Sequence, residues 1–272
     1  MATKKVLVTG ANSGIGLATV LEAARRGLQP VGSVRSEEKA EVVAKAAADA
    51  GVQVDTVILD VTDADRCAAV VEQVQPWGLV NNAGYSGTGA VEDVPDEEVR
   101  EQLEAMVIAP MRLARLAVPA MRAAGDGRIV NVSSIYGRTT TPLTGWYQAS
   151  KHALEAVSDA LRMEVASGGI KVVLVEPGGF KTGIWEDNQR DVARRGDSRY
   201  RSAYERTLLL MRLSQPVMGD PAQCARVIVR ALLSRAPRAR YLVGYDAQTL
   251  AFFDPLTPTA LKDRLTRLTL GL

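Results

Sequence analysis

The sequence has few cysteines and only one histidine, which limits the chemistry open to it. Cys67 and Cys224 are the two cysteines among 272 residues, and their separation is not that of a zinc site or a disulfide framework. We therefore expect no bound metal and a reducing, cytoplasmic location. The one histidine, His152, is accompanied by no GxSxG motif, so a hydrolytic triad is disfavoured.

The sequence is also short of net charge and of long apolar runs. Lys and Arg number 33 against 31 Asp and Glu, a net charge of +2, which does not indicate a nucleic-acid or membrane surface. No run approaches the roughly 18 apolar residues that a membrane span needs. The N-terminus passes from two lysines directly into a strand-like run, without the apolar stretch of a secretory signal. A soluble protein that binds small molecules is expected.

Short β-branched runs alternate with segments of helical length. This alternation predicts right-handed crossovers and one Rossmann domain over residues 1–272, an α/β fold with a doubly wound parallel sheet and helices on both faces. The predicted strands begin near Val6, Val52, Gly78, Arg128 and Lys171, and a later one covers Tyr241–Val243. The predicted helices cover Ala18–Arg26, Glu37–Ala50, Asp63–Val74, Asp96–Ala123 and Gln148–Ala166, with another from about Asp220 and a C-terminal amphipathic stretch.

The segment from Gly183 to Pro216 breaks this pattern, because charged residues crowd into it. Apolar residues still recur there at helical spacing, namely Tyr200, Tyr204, Leu208 and Met211, so one face should pack on something. The segment is predicted to be a helical substrate lid, more mobile than the sheet and closing over a largely apolar substrate. The segment could also be a surface insertion. Its arginines could contact an acidic substrate, but a solvated charged face is the favoured interpretation.

A glycine-rich loop, TGANSGIG, follows the first predicted strand. Gly10 permits a tight turn, Gly14 lets the backbone approach a pyrophosphate, and Gly16 allows the helix to pack closely on the strand. The helix that follows directs its N-terminal N–H groups and its dipole at bound phosphates. Glycine-rich turns also serve structural ends, but the strand, loop and helix context favours a dinucleotide site.

The choice between NAD and NADP is read at the end of the second predicted strand. An acidic residue there suits the ribose 2′-hydroxyl of NAD, whereas an arginine suits a 2′-phosphate. Here Ser33 and Arg35 occupy the position and no acid occurs before Glu37. NADP(H) is therefore predicted, the alternative being that Arg35 is only a solvated charge.

Three polar residues form a candidate catalytic set. The strand RIVNVSS runs into Ser134, Tyr147 follows thirteen positions later, and Lys151 follows four after that. Helical spacing puts Tyr147 and Lys151 on one face, so the ammonium is expected to favour the ionised phenol. Such a shift is needed for a general base, since an unperturbed tyrosine has a pKa near ~10.

Four motifs in order together resemble the short-chain dehydrogenase/reductase family over about residues 4–245. They are TGANSGIG, NNAG at Asn81–Gly84, the Ser134, Tyr147 and Lys151 set, and PGGFKT at Pro177–Thr182. The GSVRS and WYQASKHAL contexts resemble the branch that includes 17-beta-hydroxysteroid and retinol dehydrogenases. The resemblance implies that Ser134 orients the substrate oxygen, that Tyr147 exchanges its proton, and that Lys151 tunes Tyr147 and holds the nicotinamide ribose.

The resemblance also implies a set of cofactor contacts and a homodimer or homotetramer. Asp60 would contact the adenine, Asn81 would lie beside the cofactor, and Thr182 would reach the nicotinamide amide. Association would use the helices predicted over Asp96–Ala123 and Tyr147–Ala166, and the substrate would be a carbonyl or alcohol. The predicted cofactor-binding residues are Gly10, Asn12, Ser13, Gly14, Ile15, Gly16, Ser33, Arg35, Asp60, Val61, Asn81, Ala83, Gly84, Tyr147, Lys151, Pro177, Gly178 and Thr182.

One position departs from the family pattern. Relatives carry an asparagine where this chain has Met106, and that asparagine helps to complete a proton relay through a bound water. Pro110 cannot donate to the carbonyl of Met106, so this carbonyl could hold the water instead. Met106 could also simply fill a core gap in a kinked helix. The departure leaves an alternative function open, an NADP(H)-binding sensor or a specialised member of low activity.

Overall fold

The computed structural model describes residues 4–272, apart from the side chains of residues 184–186. Seven strands form one parallel sheet in the order β3-β2-β1-β4-β5-β6-β7. The strands are β1 Lys5–Thr9, β2 Gln29–Val34, β3 Asp55–Ile58, β4 Gly78–Asn81, β5 Gly127–Val132, β6 Ile170–Pro177 and β7 Arg240–Val243. The predicted α/β fold with a doubly wound parallel sheet is confirmed.

Helices connect these strands and extend the chain beyond the sheet. They are α1 Gly14–Arg25, α2 Glu37–Asp49, α3 Ala64–Val74, α4 Asp96–Leu103, α5 Ala109–Ala124, α6 Gly145–Glu164, α7 Ile184–Arg194, α8 Arg201–Ser214, α9 Pro221–Leu233, α10 Tyr245–Phe253 and α11 Thr259–Leu270. Among the described residues no helix is both long and apolar enough to cross a membrane. The segment predicted to be a lid forms α7 and α8.

The sheet has an apolar cluster on each face. On one face α1 and α9 pack on strands through side chains such as Val20 and Ile228. On the other face α3 and α5 contribute Val70 and Leu113. Both faces of the strands are therefore buried, which explains their continuous β-branched runs. The strand order reverses between β1 and β4, and in such sheets ligands bind beyond the carboxyl ends of the strands at that point.

The long helix predicted over Asp96–Ala123 is not continuous. A π-helical turn, Glu104–Ile108, separates α4 from α5, and the N–H of Ala109 donates to the carbonyl of Glu104 five residues earlier. Pro110 has no N–H to continue the α-helical ladder, and its ring clashes with the preceding turn. A single π turn within a helix is one way to absorb such an interruption. Met106 lies within this turn.

Candidate active site

A cleft of about 1630 Å³ opens at the carboxyl ends of the central strands. It brings together residues from the glycine loop, the ends of β2, β4 and β5, helix α6 and the segment after β6. Of the residues predicted from the sequence, it is lined by Gly10, Asn12, Ser13, Gly14, Ile15, Ser33, Arg35, Asp60, Val61, Ala83, Gly84, Ser134, Tyr147, Lys151, Pro177, Gly178 and Thr182. Residues far apart in the chain thus surround one space large enough for a dinucleotide.

The glycine loop has the geometry that a phosphate cradle requires. Gly10 and Gly14 adopt φ values of +66° and +51°, which favour glycine. A Cβ at Gly14 would lie 3.0 Å from Cγ2 of Thr182, so a side chain there would crowd the loop that follows β6. A Cβ at Gly16 would lie 2.1 Å from the carbonyl oxygen of Gly10. Gly16 therefore acts in packing, as predicted, and lies outside the cleft lining.

The end of β2 presents a serine and an arginine to the cleft. Ser33 is buried, and its Oγ has no hydrogen-bond partner among the described residues. Arg35 is exposed and lines the cleft beside Asp60. The Thr62 N–H and hydroxyl donate to the Asp60 carboxylate, and together with the charge of Arg35 they hold the pKa of Asp60 below its usual value. An unpartnered hydroxyl beside a guanidinium suits a phosphate ester.

Helix α6 places Tyr147 and Lys151 against the end of β5. Nζ of Lys151 lies 5.8 Å from the ring centroid of Tyr147 and donates to the carbonyl oxygen of Val132 at 2.9 Å. Ser134 follows β5 and accepts a hydrogen bond from the N–H of Tyr136 at 3.2 Å. The Tyr136 ring meets that of Tyr147 edge to face, with centroids 6.4 Å apart. The predicted catalytic set therefore lies together in the cleft.

Burial decides the protonation of both α6 side chains. Loss of solvent raises the pKa of Tyr147 to about 12, although a hydrogen bond with Ser134 acts in the opposite direction. Burial also lowers the pKa of Lys151 to about 8, opposed by the charge of Glu155. The expectation that the phenol is shifted toward ionisation is therefore wrong for this structure. At neutral pH Tyr147 holds its proton and is suited to donate it.

A cluster of buried carboxylates and arginines joins α6 to β6 and β7. Glu155 follows Lys151 by one turn of α6, and burial raises its pKa. Nε of Arg240 lies 3.0 Å from Glu155 and 3.3 Å from Glu176, which is fully buried in β6. Nε of Arg138 also pairs with Glu176, at 2.8 Å from Oε2. Two arginines thus hold two buried carboxylates between α6 and the sheet edge.

Met106 reaches the cleft from the π-helical turn. Its side chain is 1% exposed and packs against Gly84, where a Cβ would meet its Cγ and Cε at 3.7 Å. This position is compatible with both predictions for Met106, a side chain that fills a core gap and a main-chain carbonyl that holds the relay water. The packed side chain does not prevent the carbonyl from binding a water. The carbonyl of Met106 still lacks its α-helical donor, since Pro110 has no N–H.

Asn81 does not line the cleft. Its Nδ2 donates to the carbonyl of Pro110 at 3.2 Å and to Oδ1 of Asn131 at 2.8 Å, so it joins β4 to α5 and β5. The next residue, Asn82, lines the cleft and donates to the carbonyls of Thr9 and Gly10. Asn82 was not among the predicted site residues, although its place in NNAG was a usable signal.

Helix α7 contributes charged side chains to the cleft, among them Asp187, Arg190, Asp191 and Arg194. Oδ2 of Asp191 accepts a hydrogen bond from the N–H of Thr88 at 2.8 Å. In α8 the hydroxyl of Tyr204 donates to Asp93 at 2.7 Å. The segment is therefore fastened to the chain between β4 and α4, and Tyr204, predicted on its packed face, is fully buried.

The chain matches the short chain dehydrogenase family over residues 4–193. YusZ of Bacillus subtilis (strain 168), an uncharacterized oxidoreductase, is 34% identical over 95% of each chain. Retinol dehydrogenase 16 of Rattus norvegicus is 33% identical over 96% of this chain and 87% of its own. The 17-beta-hydroxysteroid dehydrogenase type 6 of Bos taurus is 34% identical over 96% and 86%. The protein belongs to the short-chain dehydrogenase/reductase family, in the branch of these two dehydrogenases.

Solved structures agree with this assignment. A short-chain dehydrogenase from Streptomyces avermitilis superimposes with a TM-score of 0.76 at 32% identity, covering 94% of this chain and 97% of its own. A variant of actinorhodin polyketide ketoreductase, solved with NADPH, gives a TM-score of 0.75 at 28% identity, covering 88% and 95%. The family is one of oxidoreductases that use NAD or NADP.

Proposed function

We propose that this protein is an NADP(H)-dependent oxidoreductase that interconverts a ketone or aldehyde with an alcohol, with Tyr147 as the general acid and base. The observation that carries the proposal is the meeting of Ser134, Tyr147 and Lys151 in a cleft that also contains a glycine-loop phosphate cradle. A solved neighbour bound to NADPH supports the choice of cofactor class. The family supports the class of reaction.

The residues present fit a bound dinucleotide phosphate. Ser33 Oγ and Thr182 Oγ1 are buried and lack hydrogen-bond partners within the described part of the chain, and both residues line the cleft. Ser33 and Arg35 would hold the 2′-phosphate, since a guanidinium matches phosphate geometry. Thr182 would face the nicotinamide amide, and Gly14 would leave room for the pyrophosphate at the start of α1.

The chemistry divides between the cofactor and the protein. When bound, the nicotinamide supplies or accepts the hydride. Ser134 orients the substrate oxygen, and in reduction Tyr147 donates its phenolic proton to that oxygen. In the reverse direction Tyr147 must first lose this proton. Burial raises the pKa of Tyr147 to about 12, so reduction at neutral pH begins with the acid already in its active form.

The substrate is proposed to be largely apolar. Met106, Ile108 and Phe180 line the cleft along with Tyr147, and an apolar wall excludes water from the reacting carbonyl. The charged residues of α7 lie on the same cleft and would contact any polar part of the substrate. We further propose a homodimer or homotetramer formed through α4, α5 and α6, acting in the cytoplasm, where the buried thiols Cys67 and Cys224 would stay reduced.

The direct test is consumption of NADPH absorbance by purified protein with a panel of ketones, aldehydes and quinones. The proposal expects turnover of at least one apolar carbonyl and much less with NADH. A sensor function remains open because Met106 stands where relatives carry an asparagine. For a sensor we expect tight NADPH binding and no turnover with any member of the panel. That second result would contradict the proposed activity.

A further inference from the structure

Exposed apolar side chains are concentrated in the C-terminal part of the chain, and the leucines among them do not line the catalytic cleft. On α11 Leu261, Leu265 and Leu268 are 49%, 54% and 69% exposed. On α8 Leu209 and Leu213 are 55% and 67% exposed. Helices α8 and α11 contact each other, and several large exposed apolar side chains on two such helices indicate a binding surface.

The leucines of α11 form a narrow stripe on the outer face of that helix. At about 100° per residue, Leu261, Leu265 and Leu268 fall within an arc of about 60°. Leu270 lies about 180° from Leu261 by the same geometry. Leu270 is buried in a cluster with Ala203 and Tyr204 of α8. Helix α11 is therefore held to α8 by one face, and its leucine stripe points away from the protein.

Basic side chains accompany this apolar surface. Helices α8 and α11 together carry six basic residues and two acidic ones, a net charge of +4. Two of the basic residues are already paired, Arg201 with Glu205 and Lys262 with Asp254. The positive excess therefore rests on the arginines Arg206 and Arg212 of α8 and Arg264 and Arg267 of α11. The whole chain has a net charge of only +2, so acidic residues elsewhere in the chain offset the charge of these two helices. The net charge of the chain therefore does not reveal this surface.

We propose that the surface formed by α8 and α11 docks on an anionic lipid bilayer. Leucines on one face of a helix, accompanied by arginines, are the arrangement of a helix that lies in the membrane interface. The leucines enter the boundary of the acyl chains, and the basic groups contact anionic headgroups. A second copy of this chain is a poorer occupant, because two surfaces that each carry an excess of arginines would repel each other.

Docking through α8 would bring the lipid next to the helix that follows the cleft-lining α7. Helix α7 lines the cleft and leads through a short connection into α8. An apolar substrate dissolved in the bilayer would then reach the cleft without crossing bulk water. This consequence rests on the proposed function, whereas the docking itself depends only on α8 and α11.

Vesicle flotation of the full chain tests the docking. The probes are phosphatidylcholine vesicles with and without phosphatidylglycerol. Wild-type protein should float with the phosphatidylglycerol vesicles, and the triple variant Leu261→Gln, Leu265→Gln, Leu268→Gln should bind at least about tenfold more weakly. The matched control is Val42→Gln, Leu233→Gln, which removes exposed apolar residues at other sites and should float normally.

Charge and self-association are tested in the same assay. The single variants Arg264→Gln and Arg267→Gln should each bind phosphatidylglycerol vesicles about fivefold more weakly than the wild-type protein. NADPH binding by each variant, followed by fluorescence, reports that the fold is intact and separates failure of docking from failure of the proposed function. The proposal is overturned if the wild-type protein does not float with phosphatidylglycerol vesicles. It is equally overturned if the triple variant binds these vesicles as tightly as the wild-type protein. It is also overturned if the leucine stripe joins two copies of the chain and binds no vesicles. In that case light scattering would give a smaller mass for the triple variant than for the wild-type protein, and neither protein would float with vesicles.

Discussion

The ammonium of Lys151 donates a 2.9 Å hydrogen bond to the carbonyl oxygen of Val132, the last residue of β5. This bond holds the lysine at the strand end, with its nitrogen 5.8 Å from the ring centroid of Tyr147. One carbonyl of the sheet thus fixes the cation on which the site depends. Because burial lowers the pKa of Lys151 to about 8, its charge is lost within a pH range that enzymes experience.

The pH dependence of nucleotide capture should report this lysine. Lysine is charged below its pKa, so kcat/KM for NADPH should be high below pH 8 and fall as the pH rises through about 8. Lys151→Arg should move this fall to higher pH, since arginine stays protonated. Steady-state kinetics across the pH range are the measurement. An unchanged fall in Lys151→Arg would assign it to another group.

The cofactor preference should depend on Arg35. Arg35→Ala should weaken NADPH binding by about tenfold or more, roughly 1.4 kcal/mol, and leave NADH binding nearly unchanged. Calorimetry with both nucleotides measures the two effects. Lys45→Ala, which removes an exposed cation farther along α2, is the control and should change neither affinity. Equal affinity of the wild-type protein for NADPH and NADH would contradict the assignment of Ser33 and Arg35.

Met106 should prove secondary to the main chain around it. If the carbonyl that Pro110 leaves without an α-helical donor holds the relay water, Met106→Asn should change kcat by less than about tenfold, under roughly 1.4 kcal/mol. The comparison needs the best substrate found, since a poorly positioned one hides relay defects. A gain of several orders of magnitude with asparagine would show that the amide is indispensable and would favour a specialised or non-catalytic role.

Arg240 should matter for stability more than its partial exposure implies. It bridges Glu155 and the fully buried Glu176, so Arg240→Met should lower the free energy of unfolding by about 3 kcal/mol, as expected when a buried carboxylate loses a partner. Arg26→Met is the matched control, because Arg26 pairs with Glu22 one turn earlier on α1, away from this cluster, and should cost less than about 1 kcal/mol. Urea unfolding measures both, and equal losses would be evidence against the buried cluster.

The sequence predicted much of the fold because its signals are local. Buried parallel strands require β-branched runs, and the glycine loop requires positive φ at Gly10 and Gly14. The break between α4 and α5 could be predicted only in part. Pro110 shows where an α-helical hydrogen bond is missing, but not that a π turn forms there. Asn81 and Asn82 were expected to differ, because successive strand residues point to opposite faces, but the sequence does not show which of the two faces the cleft.

The electrostatic state of the site could not be predicted from spacing. The four-residue interval correctly placed Lys151 beside Tyr147, but the direction of the tyrosine pKa depends on how much solvent the fold removes. The leucine stripe of α11 was likewise hidden. Periodicity shows that α11 has an apolar face, and only the packing of Leu270 on α8 shows that Leu261, Leu265 and Leu268 face outward.

The most direct test of the central claim is turnover by Tyr147→Phe, measured together with its NADPH affinity. The phenol is proposed to act on the substrate oxygen, so the variant should lose essentially all carbonyl reduction while binding NADPH almost as well as the wild-type protein. Phenylalanine keeps the ring that packs on Tyr136, so the site should stay folded. A variant that retained most of its activity would contradict the mechanism.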